Sequence, residues 1–249
     1  MTMNQLHGKR VVITGGGSGI GADMALAFAE VGAEVIITGR RREPLEATAG
    51  HHSAIAFEIA DVTREADMVA LFEGLGEVDI VIANAGAAES APLARTGLDQ
   101  WQRMLDVNLT GTFLTLREGL RHLRDGGRLI AVASTAGLKG YAYVAPYCAA
   151  KHGVVGLVRA LAQEVAGRDI TVNALCPGFT ETPLLEESIA TIVTKTGQSP
   201  EQARAHLQST NPSGRLVQPA EVTTTALWLC GPHSGAIHGQ AISISGGET

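Results

Sequence analysis

Seven short runs of aliphatic, mostly β-branched residues recur along the chain, separated by longer segments of helical period. They lie at 10–14, 34–38, 54–59, 79–83, 128–133, 170–176 and 241–245. Several are apolar at successive positions, as in Val11-Val12-Ile13, rather than at alternate ones. A strand apolar on both faces needs cover on both faces, which a parallel sheet between two helical layers provides. Segments able to supply that cover fall at 20–31, 65–75, 99–123, 145–166 and 220–229. The pattern predicts one doubly wound α/β domain over 1–249, built on a seven-stranded parallel sheet. No internal repeat, low-complexity run or linker divides it. At 249 residues such a chain buries about three-quarters of its extended surface and needs no disulfide or metal staple.

Composition removes several classes of function. Twenty-five acidic residues against 19 basic ones give a net charge of −6. Both signs are scattered, so no cationic stripe faces a nucleic acid. No run approaches the roughly 20 apolar residues of a membrane helix. Residues 1–7 lack the basic-then-apolar build of a signal peptide. Cys148, Cys176 and Cys230 are odd in number and unpaired in spacing, which suits free thiols in a reducing cytoplasm. His51-His52, and His233 with His238, have no acidic or thiolate companion at metal spacing, so no metal is expected.

Residues 181–213 interrupt the alternation. The stretch is polar, begins and ends near prolines, and has room for one or two short helices. Irregular segments of this size in compact domains are often lids, and a lid is the expectation here; a passive surface insertion is the alternative.

Two regions carry chemistry. The first run is followed by Thr14-Gly15-Gly16-Gly17-Ser18-Gly19-Ile20-Gly21, which opens the first helical segment. Glycines at a strand-to-helix turn let backbone amides approach a pyrophosphate held at the helix N-terminus. The spacing G-x-x-x-G-x-G differs from the commoner G-x-G-x-x-G, but its place after the first strand marks a Rossmann-type dinucleotide turn. The absence of a Gly-Lys-Ser/Thr ending disfavours a nucleotide triphosphatase. The second run ends Thr38-Gly39-Arg40-Arg41-Arg42. An acidic residue near this point pairs with the ribose of NAD, whereas arginine accommodates the 2′-phosphate of NADP. Gly39 stands where the acid would be, so Arg40 first and Arg41 second favour NADP(H) over NAD(H). A solvated start to the next helix is the other reading of these arginines.

The second region is Tyr147-Cys148-Ala149-Ala150-Lys151. Four residues apart on a helix, Tyr147 and Lys151 share a face. A phenol near pKa 10 is a poor acid or base at neutral pH, and a neighbouring ammonium is expected to lower that value. Ser134 ends the fifth run, at the strand C-termini where such sheets bind ligands.

With these marks in order, the chain resembles the compact short-chain dehydrogenase/reductase family from Gly8 to Gly247. Further marks are Asp61-Val62, Asn84-Ala85-Gly86, Asn108 and Pro177-Gly178. The resemblance implies that Tyr147 exchanges a proton with the reacting oxygen and that Ser134 holds that oxygen. Lys151 tunes Tyr147 and holds the nicotinamide ribose, and Asn108 holds a water that links Lys151 to a proton relay. It also implies a cofactor cradle of Gly15, Ser18, Gly19, Ile20 and Gly21, with Asp61 and Val62 at the adenine and Asn84, Ala85 and Gly86 at the fourth strand's exit. Asn84 reads as mainly structural. Pro177, Gly178, Phe179, Thr180 and Thr182 would meet the carboxamide and pyrophosphate, joined by Tyr147 and Lys151. His152 and Cys148 read as bland neighbours of this pair.

The reading is an NADP(H)-dependent oxidoreductase acting on a carbonyl or secondary alcohol. Residues 145–156 and 173–183 resemble 3-oxoacyl and polyketide ketoreductases, which take β-keto thioesters on CoA or carrier protein. Leu138, Tyr141, Tyr143, Val144, Leu184 and Leu185 would wall the pocket, and Arg204 and Arg215 could meet a carrier. The alternatives are an NAD-dependent hydroxyacyl or secondary-alcohol dehydrogenase and, in another class, a catalytically silent redox sensor. Surplus apolar positions at 99–123 and 145–166, together with the tail 240–249, suit two-fold contacts and a homotetramer, with a dimer as the fallback.

Overall fold

The computed structural model describes residues 6–249. Residues 1–5, part of the stretch read above as lacking a signal-peptide build, lie outside it. Seven parallel strands form one sheet: β1 (Arg10–Thr14), β2 (Glu34–Gly39), β3 (Ile55–Ile59), β4 (Val78–Ala83), β5 (Leu123–Val132), β6 (Thr171–Pro177) and β7 (Ala241–Ile244). Their order is β3-β2-β1-β4-β5-β6-β7, so the chain builds outward from β1, returns to its other side, and continues from β4. The helices are α1 (Gly19–Glu30), α2 (Arg42–Ala49), α3 (Glu65–Leu75), α4 (Leu98–Leu105), α5 (Gly111–His122), α6 (Ala145–Glu164), α7 (Pro183–Thr196), α8 (Pro200–Ser209) and α9 (Pro219–Leu229).

Successive strand residues feed two separate cores, as a sheet buried on both faces requires. Val12 of β1 joins Met68 and Phe72 of α3, Leu114 and Leu116 of α5, and Val154, Val155 and Val158 of α6. Its neighbours Val11 and Ile13 join Met24 and Phe28 of α1, Leu45 of α2, and Val222 and Ala226 of α9 on the opposite face. A third, smaller cluster centres on α7 and α8: Leu185, Ile189, Ala203 and Leu207, with Leu216 and Phe179 packed against them.

Local features depart from the periodicity. Residues 99–123 were expected as one helix, but a π turn at Asp106–Thr110 separates α4 from α5, and Leu123 already belongs to β5. That strand begins five residues before the apolar run, through an irregular stretch in which Leu123 pairs with Val78 and the next pair is Arg128 with Ile80. Helix α2 is absent from the segments of helical period and was anticipated only as the next helix after the arginines. It is short and polar, buries only Leu45 and Thr48, and carries Pro44 in its first turn, where no intrahelical N–H is needed. Residues 181–213 hold two helices with their own core.

The surplus apolar surface is smaller than the sequence suggested. Val154, Val155, Val158 and Val165 cover the sheet, while Leu157 and Leu161 are only partly buried. On α5, Leu116 is buried but Phe113 is 40% exposed.

This division predicts a contrast in stability. Phe72→Ala should cost about 3–5 kcal/mol by leaving a cavity between α3 and the sheet. Phe113→Ala, measured by the same denaturant titration on dilute protein, should stay within about 0.5 kcal/mol.

Candidate active site

The glycine turn is built by close packing. A Cβ at Gly15 would stand 2.8 Å from Ala85 Cα, and one at Gly16 would stand 2.5 Å from Ile37. One at Gly21 would collide with the Gly15 carbonyl and reach 2.5 Å from Asn84 Nδ2. Gly15 and Gly19 also take φ of +68° and +54°, the left-handed region that favours glycine. Ser18 precedes α1 in an extended conformation and makes no capping bond with its side chain. The first-turn amides of α1 are therefore left for another acceptor. Facing them is the N-terminus of α7: a Cβ at Gly19 would lie 3.2 Å from Thr182 Cγ2. Thr182 caps α7 by accepting from the Leu185 amide, and Thr180 donates to the Gly178 carbonyl at 2.9 Å. This glycine cradle between two helix N-termini fits a dinucleotide pyrophosphate.

At the end of β2, Arg40 and Arg41 are exposed and take part in neither ion pair nor side-chain hydrogen bond among the described residues. Arg42, by contrast, pairs with Glu46 at 3.2 Å and lies over the Phe57 ring. Asp61 Oδ1 accepts from the amide and hydroxyl of Thr63 at 3.0 and 2.8 Å. The Val62 side chain belongs to the core and packs against Gly111, so it has only its backbone to offer a ligand. Asn84 is a structural tie: Nδ2 donates to the Thr14 carbonyl at 2.9 Å, and the amides of Asn84 and Ala85 donate to Thr14 Oγ1 at 3.0 and 3.1 Å. Gly86 passes close to Asn108 and Lys151; its Cβ would lie 3.0 Å from one side chain and 3.7 Å from the other.

Ser134, Tyr147 and Lys151 meet beyond the C-terminal ends of β5 and β6. Ser134 follows β5 and caps a 3-10 turn, Thr135–Gly137, by accepting from the Ala136 amide at 3.1 Å. A Cβ at Gly137 would be 2.6 Å from the Lys151 carbonyl, so this turn packs directly on α6. Lys151 is 3% exposed; its Nζ donates to the Val132 carbonyl at 2.8 Å and sits 5.6 Å from the Tyr147 ring centroid. Burial lowers the Lys151 ammonium to about 8.

The Tyr147 ring lies beside this ammonium. Burial pushes the phenol up to about 12, and the nearby Ser134 hydroxyl pulls it back only in part. Held this far above neutrality, the Tyr147 phenol is protonated at neutral pH.

Asn108 ties the π turn to the β4 exit loop. It is fully buried in the π turn, with Oδ1 accepting from the Ala87 amide at 3.2 Å. Its Nδ2 donates to the carbonyls of Ala87 and Met104 at 2.9 and 3.0 Å. The side-chain amide is thus engaged at both its oxygen and its nitrogen.

Other expectations divide. Leu185 turns into the small core of α7 and α8 rather than a pocket wall. Arg204 is held by Glu181 and Glu186, and Arg215 makes two 2.7 Å bonds to Glu221, so neither is free for a carrier. Tyr143 is 66% exposed with a φ of +69°, and its carbonyl accepts from the Ala91 amide at 2.8 Å. His152 is exposed and bonds the Cys148 carbonyl. His238 bridges the Val172 amide and the Ala162 carbonyl. Among the described residues no group of three or more His, Cys, Asp or Glu could hold a metal ion, and no helix is long and apolar enough to cross a membrane. The sequence reading missed a polar cluster beside Ser134, made by Thr135, Lys139, Tyr141 and Glu248. No motif spacing announces it, because Glu248 lies 107 residues from Tyr141.

A doubly wound sheet with a glycine cradle at β1 and a Ser-Tyr-Lys group beyond β5 defines an NAD(P)-linked oxidoreductase acting on CH-OH groups. Residues 9–192 match the short chain dehydrogenase family, and the chain belongs to it. The D-beta-hydroxybutyrate dehydrogenase of Cupriavidus necator is 34% identical over 253 residues, covering 97% of this chain and 98% of that protein. The 3-oxoacyl-acyl-carrier-protein reductase FabG of Thermotoga maritima is 33% identical over 253 residues, covering 98% of each. Among solved structures, an actinorhodin polyketide ketoreductase variant with NADPH superposes with a TM-score of 0.89 at 33% identity, covering 97% of both chains.

The buried ammonium makes a stability prediction. With its folded pKa lowered to about 8 from 10.5, Lys151 is disfavoured in the native state while charged. Unfolded chains hold that proton up to higher pH, so stability should rise as pH climbs from about 8 towards 10.5. Lys151→Met keeps the apolar stem without the charge. Its thermal midpoint should exceed that of the parent at pH 7, and the gap should shrink above pH 8.

Proposed function

We propose that the protein is an NADP(H)-dependent ketoreductase, acting on a 3-oxoacyl thioester or a related ketone, with Tyr147 as general acid and base. The observation that carries this reading is that Ser134, Tyr147 and Lys151 lie on the same edge of the sheet as the glycine cradle. The bound dinucleotide supplies the hydride chemistry; the chain supplies position, a proton and electrostatics. Ser134 presents its hydroxyl to the substrate oxygen and Tyr147, neutral at working pH, gives that oxygen its proton. Lys151 holds the nicotinamide ribose and stabilises Tyr147 once its proton has left. Asn108 acts by fixing the strand-exit loop through Ala87.

The pyrophosphate is assigned to Gly15, Ser18, Gly19, Ile20 and Gly21, with Thr180 and Thr182 opposite. Asp61 and the Val62 backbone take the adenine end, Ala85 and Gly86 line the β4 exit beside the structural Asn84, and Pro177, Gly178 and Phe179 meet the nicotinamide side. Arg40, then Arg41, take the 2′-phosphate, since both are uncommitted while Arg42 is paired. The reductase and ketoreductase relatives support a β-keto substrate, and the one solved with NADPH supports the cofactor. The hydroxybutyrate dehydrogenase relative, at 34% identity, supports a second reading as an NAD-dependent dehydrogenase working towards oxidation. Helices α7 and α8 serve as the lid. Phe113, Leu157 and Leu161 remain for subunit contacts in a cytoplasmic homotetramer.

NADPH oxidation measured across β-keto thioesters, cyclic ketones and sugars tests the substrate class; the proposal expects the thioesters to lead. On the best substrate, Tyr147→Phe should lower turnover roughly 100- to 10,000-fold with cofactor binding nearly intact. Lys151→Ala should damage both. Substantial turnover by the Phe variant would show that another acid does the work.

Cofactor choice is tested by dissociation constants. NADPH should bind more tightly than NADH. Arg40→Ala should weaken NADPH about 10- to 100-fold, the range for losing a charge-assisted bond, and leave NADH unchanged. Equal affinities in the unmutated protein would remove the assignment.

A further inference from the structure

Tyr141 lies in the loop between the 3-10 turn and α6, and its ring meets Phe179 edge-on at 6.0 Å. Its hydroxyl is 2.6 Å from Thr135 Oγ1 and 2.7 Å from Glu248 Oε1. Glu248 comes from the segment after β7, yet its side chain is only 2% exposed. Lys139 Nζ stands 3.0 Å from the same carboxylate oxygen and 5.0 Å from the Tyr141 ring centroid. The other oxygen, Oε2, is buried without a hydrogen-bond donor among the described residues. It lies against Gly178, where a Cβ would come within 3.3 Å of it. A carboxylate buried with one oxygen unpaired carries a cost that calls for a reason.

Chemistry sets the direction of these bonds. An ionised carboxylate only accepts, so Tyr141 gives its single proton to Glu248, and Thr135 must then donate to the Tyr141 oxygen. Burial, with the Glu248 carboxylate adding to it, holds the Tyr141 phenol well above its ordinary value and keeps it a donor. The result is a polarised chain from Thr135 through Tyr141 to Glu248, with Lys139 balancing the charge. Thr135 follows Ser134 and opens the turn that Ser134 caps. That turn is pressed against the Lys151 carbonyl through Gly137 on one side and is bonded to Tyr141 through Thr135 on another, while the Ser134 hydroxyl itself stands 3.5 Å from the Pro177 carbonyl.

We propose that Glu248 is a positioning residue for Ser134, aiming its hydroxyl through Tyr141 and Thr135 from the segment after the edge strand β7. The proposal rests on the reading of Ser134 as the group that holds the reacting oxygen. Glu248 touches neither substrate nor dinucleotide in this role. Its carboxylate sets the polarity of the chain and its charge is matched by Lys139.

The test is a double-mutant cycle on ketone reduction, with NADPH binding and thermal unfolding measured on every variant. Tyr141→Phe and Glu248→Ala should each lower kcat about tenfold, with KM and NADPH affinity little changed. Glu248→Gln, which keeps an acceptor for Tyr141, should recover most of that loss. Combining Glu248→Ala with Ser134→Ala should lose no more than Ser134→Ala alone, because nothing is left to aim. Losses that multiply in the double variant overturn the proposal, as does full kcat in Tyr141→Phe. Should Glu248→Ala fail to fold, Tyr141→Phe combined with Ser134→Ala decides by the same criterion. Full activity in Ser134→Ala refutes the serine's role itself, a result distinct from an intact serine effect that Glu248 does not share.

Discussion

The seam between β1 and β4 is the constraint on which the rest of the site depends. The two strands pair through Val11–Ile80, Val12–Val81 and Ile13–Ile82, and then diverge because the chain leaves β1 towards α1 and leaves β4 towards α4. Divergence at the point where strand order reverses would orphan backbone amides in a buried crevice. Thr14 and Asn84 prevent that. The Thr14 hydroxyl accepts from two successive amides of the departing β4 chain, and the Asn84 amide donates back to the Thr14 carbonyl. The β4 amides at the crevice are thereby paired, and glycines on both sides let the backbone approach it.

That seam also couples the two ends of the chemistry. Gly15 and Gly21 pack against Ala85 and Asn84, while Gly86, two residues further on, passes beside Asn108 and Lys151. The pyrophosphate cradle and the proton-handling group therefore share one short segment, residues 84–86. Burial serves the second of these at a cost to stability. Lys151 is held in a dry site by the Val132 carbonyl, and desolvation disfavours its charge. The same dryness keeps Tyr147 protonated.

How far the sequence was legible follows from how local each feature is. The sheet was readable because its strands are apolar on both faces, a signal that needs no partner. The glycine turn and the Tyr147–Lys151 pair were readable because each lies within a few consecutive residues. Helix α2 was hidden by its polarity and by Pro44, and the π turn was hidden because its buried asparagine answers to Ala87, 21 residues away. Arg204 and Arg215 read as exposed basic residues until Glu181, Glu186 and Glu221 folded onto them. Leu185 read as a pocket wall until α8 arrived to bury it. Apolar or charged character was legible in each case; the partner was not.

The proposed lid illustrates the same logic at larger scale. Helices α7 and α8 bury Leu185, Ile189, Ala203 and Leu207 against one another, separately from either face of the sheet. Arg204 of α8 closes the pair onto the start of α7 through Glu181 and Glu186. Such a unit carries its internal contacts with it when it shifts, so moving it costs only the bonds to the body. Those bonds include the Thr180–Val217 bridge at its base, Gln208 donating to the Gly214 carbonyl and Lys195 reaching Ser90 of the β4 exit loop, with Phe179 and Leu216 packed on the small core. Gly19 at the start of α1 faces Thr182 across the pyrophosphate cradle, at the root of α7. An anion held between those two helix N-termini would add a bond exactly where the lid is hinged to the body. Under the proposed lid, cofactor binding and lid position would form one equilibrium, because only differential contact with the ligand can bias a two-state element.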